Sequence, residues 1–196
     1  SRRRDRARAH RGTAAGACLA ALLAAAGVAG AQEWTAVMTV QCGTAAVDLV
    51  FGQCPDATPG LDRALGEYEL PPLPPSGSFD ARFLDAALGN GTAHNLLPFD
   101  PARIDTLLIG VQWGPGARTV RWDAAEVAAA TSMALLTDSW GGQLGVNVDM
   151  SAAGQVTITN PRVERLWLLV QSAAPVPDTS TTVQRRTWGQ VKVGDR

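Results

Sequence analysis

Between Trp34 and Gln171 the chain is cut by Gly, Pro, Asn and Asp into nine short segments of strand composition, and this spacing restricts its fold more than any other feature. In order they are Trp34 to Gln41, Ala46 to Phe51, Phe79 to Leu84, Ile104 to Trp113, Arg118 to Trp122, Met133 to Thr137, Gly145 to Met150, Gln155 to Thr159 and Glu164 to Gln171. Segments this short and this closely spaced predict an all-β domain: an antiparallel β-sandwich of about nine strands, Ig-like or jelly-roll-like. Alternation supports the assignment. Val120 and Trp122 share a face against Arg121, Val146 and Val148 against Asn147 and Asp149, and Val156 and Ile158 against Thr157 and Thr159. Such strands bury one face and wet the other. The unbroken apolar run Leu166 to Val170 instead predicts a central strand covered on both sides. Gly114-Pro115-Gly116 and Ala153-Gly154 read as hairpin turns. Asp123 followed by Glu126 and alanines to Ala130 predicts a short capped helix.

Residues 1–31 carry a different signature. A segment with six Arg precedes an uncharged, Ala-rich run from Ala14 that closes on Ala29-Gly30-Ala31. Basic region, apolar region and small-residue cleavage pattern together predict a cleaved secretory signal helix. Ala is a weak membrane residue, and a permanent span needs about 20 strongly apolar positions, so membrane contact is expected only during export. The expected organisation is a signal peptide at 1–31, a β-sandwich domain at 32–171, and a linker with a C-terminal tail at 172–196. The linker contains Pro175 and Pro177, and the tail contains Thr187-Trp188-Gly189-Gln190-Val191-Lys192-Val193. The whole chain, with 17 Lys plus Arg and 18 Asp plus Glu, has a net charge of −1. Removing the leader leaves 11 basic and 17 acidic residues, a net charge of −6. An acidic chain without a basic face argues against nucleic acid as a partner. The expected location is secreted, extracellular or on the cell surface.

Export also changes the meaning of the cysteines. Cys18 lies in the leader, leaving Cys42 and Cys54, which are 12 positions apart. In an exported chain this pair predicts a disulfide, with two separate buried thiols as the competing reading. The loop so closed would contribute about 3 kcal/mol in the chain-entropy model. Two thiolates without further His or Cys ligands argue against zinc. His94, the one histidine outside the leader, sits in a polar stretch after Asn90-Gly91 and is read as a solvated loop residue. No G-x-S-x-G elbow is present, so no catalytic residue is assigned and a non-enzymatic protein is expected. Asp56, Thr58, Gly60 and Asp62 alternate through a tight loop. Asp56 and Asp62 are therefore candidate Ca²⁺ ligands, although the spacing departs from an EF-hand and also suits an ordinary Asx-turn loop. No other cofactor is indicated. Six Trp stand against one Tyr. Trp113, Trp122 and Trp167 fall within strands and are expected in the core, whereas Trp34 and Trp140 lie nearer ends and loops and are candidates for stacking on a sugar ring.

The stretch from Phe51 to Phe83 reads FGQCPDATPGLDRALGEYELPPLPPSGSFDARF. It resembles a recurrent segment of secreted bacterial surface proteins: an FG-x-x-P-x-A-T-x-G-x-D loop, an acidic spacer, a P-P-x-P-P run and an F-D-x-R-F strand. The positions that carry the likeness include Phe51, Gly52, Pro55, Ala57, Thr58, Gly60, Asp62, Glu67, Glu69, Pro71, Pro72, Pro74, Pro75, Phe79, Asp80, Arg82 and Phe83. The run Gly141 to Met150 and the TWGQVK tail are similar to later parts of the same group. The resemblance implies an extracellular β-sandwich module, and no activity defines the group. Together these observations predict a non-enzymatic structural or adhesive surface protein that associates with itself or with other cell-surface components. The alternative is a carbohydrate- or calcium-dependent extracellular binding module.

Overall fold

A computed structural model describes residues 33–174; the expected signal peptide, most of the expected linker and the tail with Trp188 lie outside the described residues. Ten strands form two sheets, and the chain changes sheet at most of its connections. The strands are β1 (Trp34–Cys42), β2 (Ala45–Cys54), β3 (Asp80–Leu84), β4 (His94–Pro98), β5 (Asp105–Gln112), β6 (Arg118–Trp122), β7 (Thr131–Asp138), β8 (Asn147–Asp149), β9 (Gln155–Thr157) and β10 (Arg165–Ser172). One α-helix among the described residues, α1 (Ala124–Ala130), precedes β7, and Asp123 caps it by accepting from the N–H groups of Ala125 and Glu126. The first sheet has the order β4-β2-β1-β6-β9 and the second β3-β5-β10-β7-β8. The described residues thus form an all-β sandwich of ten strands, β4 being added to the nine expected segments.

The core follows from the alternation of the strands. In β1, Trp34, Ala36, Met38, Val40 and Cys42 face inward, and Leu49 and Phe51 of β2 join them. Phe83, Ile109, Leu136, Leu166 and Leu168 meet them from the second sheet, all buried. Buried side chains of this size each contribute about 1.5–3 kcal/mol relative to exposure. β10 occupies the centre of its sheet as expected, but Trp167 and Leu169 on its outer face are only half-buried. The Pro-rich stretch connects β2 of one sheet to β3 of the other, where its lack of donors is no disadvantage.

Four expectations are corrected by this arrangement. Cys42 and Cys54 are both free and buried, not disulfide-bonded. Gly43-Thr44 closes β1 and β2 into a hairpin in which Cys42 pairs with Ala45, while Cys54 lies beyond the pair Trp34 and Gln53 at the opposite end. Nine residues of strand separate the two, about 30 Å, against the roughly 7 Å that a disulfide tolerates. His94 is not a loop residue: it opens β4, which runs parallel to β2 from the pair Val50 and His94 to the pair Cys54 and Pro98. Gly114-Pro115-Gly116 is not a hairpin turn, because β5 and β6 lie in different sheets. The same is true of Ala153-Gly154, between β8 and β9. Turn residues reverse the chain, but the apolar faces on either side decide which sheet it enters.

A buried polar chain ties the sheets together at one end. Trp34 Nε1 donates to Ser172 Oγ at 2.6 Å, Ser172 Oγ donates to Gln53 Oε1 at 2.5 Å, and Gln53 Nε2 donates to Asp105 Oδ2 at 2.5 Å. Arg103 completes it with an ion pair to Asp105 at 2.6 Å. Fully satisfied networks of this kind fix one packing of the sheets, since any shift would leave buried polar atoms without partners.

Candidate functional site

The loop between β7 and β8 is organised around one carboxylate. Asp138 is 0% exposed, and its two oxygens accept four backbone N–H groups. Oδ1 takes Trp140 and Gly142 at 2.9 and 3.0 Å, and Oδ2 takes Leu144 and Val146 at 2.9 and 3.1 Å. Burial alone would raise the Asp138 carboxyl, but the four donors outweigh it and hold the group below the usual carboxylate range. Gly141 and Gly142 have φ of 64° and 92°, values that side chains disfavour, and these let the chain curl around the anion. Thr137 Oγ1 and the Asp138 N–H close the loop by donating to the Val146 carbonyl.

This scaffold projects Trp140. At 65% exposure it is the most open of the large apolar side chains among the described residues. An indole has only two side-chain torsions to immobilise and offers a wide amphipathic face, which suits stacking against a sugar or an apolar patch. The other sequence candidate behaves differently. Trp34 is 7% exposed, packs edge-to-face on Phe51 at 5.9 Å and donates to Ser172, so it is a core residue and not a stacking platform. It begins the inward row of β1, and strand alternation overrides its place near the segment end.

The acidic loop before β3 is internally occupied. Asp62 accepts from the Thr58 N–H at 2.5 Å and from Thr58 Oγ1 at 3.1 Å, reaching four residues back along the loop, while Asp56 is exposed. Among the described residues no three His, Cys, Asp or Glu gather in a way that could hold a metal ion. The acidic spacer, unremarkable in sequence, has a clear task. Glu67 is 0% exposed and accepts from the N–H groups of Asp62 at 2.8 Å and Leu96 at 2.5 Å, fastening the loop to β4. Burial pushes its carboxyl above the usual range, partly offset by those two donors. Glu69 Oε1 accepts from both the backbone and the side-chain amide of Asn90, each at 2.9 Å. Asn90-Gly91-Thr92 has the N-x-Ser/Thr pattern of an N-glycosylation acceptor, and its Asn90 side-chain amide is already engaged within the fold.

Fold and site define a two-sheet β-sandwich that displays one aromatic side chain on a carboxylate-centred loop. No family model, curated protein or solved structure compared with the chain matches it.

Proposed function

We propose that the chain is a non-enzymatic, exported surface protein of adhesive type, and that it grips its target through Trp140. The observation that carries this reading is a fully buried carboxylate, with four backbone partners, placed so that it fixes an exposed tryptophan. The loop leaves that indole 65% exposed and so available to a partner. Side-chain adhesion is favoured over polymerisation by strand addition, because the edge strands β3, β4, β8 and β9 are only three to five residues long and offer little backbone to pair. A polysaccharide of the cell surface is the favoured target, since an amphipathic ring face stacks well on the C–H faces of sugars.

The test is retention of the full chain on a glycan array, with and without EDTA. Binding is expected to survive EDTA, because the Asp62 carboxylate is engaged by Thr58, and to fall about thirtyfold in Trp140→Ala, the loss of about 2 kcal/mol typical of an aromatic hot spot. Retention that Trp140→Ala leaves unchanged, or the absence of any retained glycan, would overturn the reading.

A further inference from the structure

We propose that a second site, a groove that runs from the outer face of the β3-β5-β10 sheet to Arg118 at the start of β6, binds a monocarboxylated sugar through Arg118 and Arg165. The groove encloses about 400 Å³, a volume in the range of small-ligand pockets. Arg165, Gly110 and Arg82 form one row across β10, β5 and β3. They face outward, because Ile109 and Val111 on either side of Gly110 point into the core. Gly110 keeps the floor of the groove open: a Cβ there would come within 2.4 Å of Leu84 Cδ1.

The charges in the groove are unevenly committed. Residues 33–174 contain 15 acids and seven Arg, yet three of those seven line this one groove. Arg82 is neutralised by Asp80, with contacts of 2.7 and 2.6 Å, and donates further to the carbonyls of Pro71 and Asn90. Among the described residues Arg118 and Arg165 form no ion pair. Arg118 is nevertheless oriented, with its guanidinium 5.4 Å from the centre of the Trp113 ring. Trp113 in turn stacks with Phe79 at 6.1 Å and donates from Nε1 to the Val163 carbonyl. An arginine fixed by stacking and lacking an acid partner presents donors ready for a carboxylate.

The remaining groups specify the rest of the ligand. Glu164 is the one acid lining the groove among the described residues, so with Arg82 neutralised a single positive charge is left over. That balance suits a monoanion and disfavours a phosphate dianion, which would meet the Glu164 carboxylate. Glu164 accepts hydrogen bonds from hydroxyls, and so does Gln112 Oε1, whose amide nitrogen is directed at the carbonyls of Pro75 and Ser78. Donors for one carboxylate beside acceptors for hydroxyls describe a polyhydroxylated monocarboxylic acid, a uronic-acid-like sugar. The proposal deepens the reading of the chain as a surface-binding module, but it uses no residue of the Trp140 loop, so either can fail alone.

The test is an NMR titration of the ¹⁵N-labelled full chain with glucuronate, with glucose and inorganic phosphate as comparators. Glucuronate should give saturable shifts at Gly110, Gln112 and the Trp113 indole, and glucose and phosphate should bind at least tenfold more weakly. Arg165→Gln, at an exposed position, should weaken glucuronate at least tenfold with an unchanged melting temperature, whereas Trp140→Ala should leave it unaffected. Arg118→Gln should act likewise, and Arg165→Gln decides the matter if the Arg118 variant fails to fold. Phosphate binding as tight as glucuronate, absence of saturable shifts in the groove, or an Arg165→Gln variant that binds normally would overturn the proposal.

Discussion

Replacing Asp138 with Asn tests the loop architecture with almost no change in shape. The carboxylate accepts four N–H groups, two at each oxygen, and is 0% exposed. The Asn side chain keeps one acceptor oxygen and turns an NH₂ group toward the other two N–H donors. Two charge-assisted hydrogen bonds are lost and the surviving pair loses its charge. At about 1.5–3 kcal/mol for each bond to a charged group, and discounting the partly exposed members, Asp138→Asn should cost about 3–5 kcal/mol. That is a large share of the roughly 5–15 kcal/mol that holds a typical domain together. The effect should also depend on pH. The folded carboxyl titrates below its unfolded value, so its contribution is complete above about pH 4 and is lost as pH falls through the lower folded value. Asp138→Asn should abolish that part of the acid sensitivity. Urea unfolding followed by tryptophan fluorescence gives the stability, and amide hydrogen exchange at Trp140, Gly142, Leu144 and Val146 gives the local effect. A loss below about 1 kcal/mol, with those four amides still protected, would refute the argument that the carboxylate organises the loop.

Other perturbations follow from the same geometry. Gly52→Ala would place a Cβ 2.1 Å from the Trp34 backbone oxygen, so the two central strands must part; urea unfolding should register a loss of about 3 kcal/mol or more. Glu67 has the opposite pH signature to Asp138: its folded carboxyl titrates above the unfolded one, so its contribution improves as pH falls through the raised value, and Glu67→Gln should remove that trend from urea midpoints measured across mildly acidic pH. Because Cys42 and Cys54 are free and far apart, reductant should leave the melting temperature unchanged, and a thiol reagent should count both on unfolding; a drop in melting temperature on reduction would contradict the β1-β2 register.

The strands legible in sequence are those whose alternation is local, such as β6 with Val120 and Trp122 against Arg121. β4 escaped because its five residues begin with His and Asn and pair in parallel with a strand more than 40 positions earlier, information no local window contains. The false disulfide had a readable cause. Gly43-Thr44 is a two-residue turn, and recognising it would have sent the cysteines to opposite ends of a hairpin. Trp34 could likewise have been assigned to the core from its phase with Ala36, Met38 and Val40. Among the site residues, Trp140 was found but its support was not, although an acid followed by Gly141, Gly142 and Gly145 is the composition expected of a loop wrapped around a buried carboxylate. The groove depends on Arg118 and Arg165, which come from different sheets, and only the packed fold unites them.

The adhesive reading is tested most directly by binding isotherms of wild type and Trp140→Ala against a glycan retained by the full chain, with melting temperatures measured on the same samples. The account predicts equal melting temperatures, because the indole is 65% exposed, and about a thirtyfold loss of affinity. Equal affinities at equal stability would contradict it.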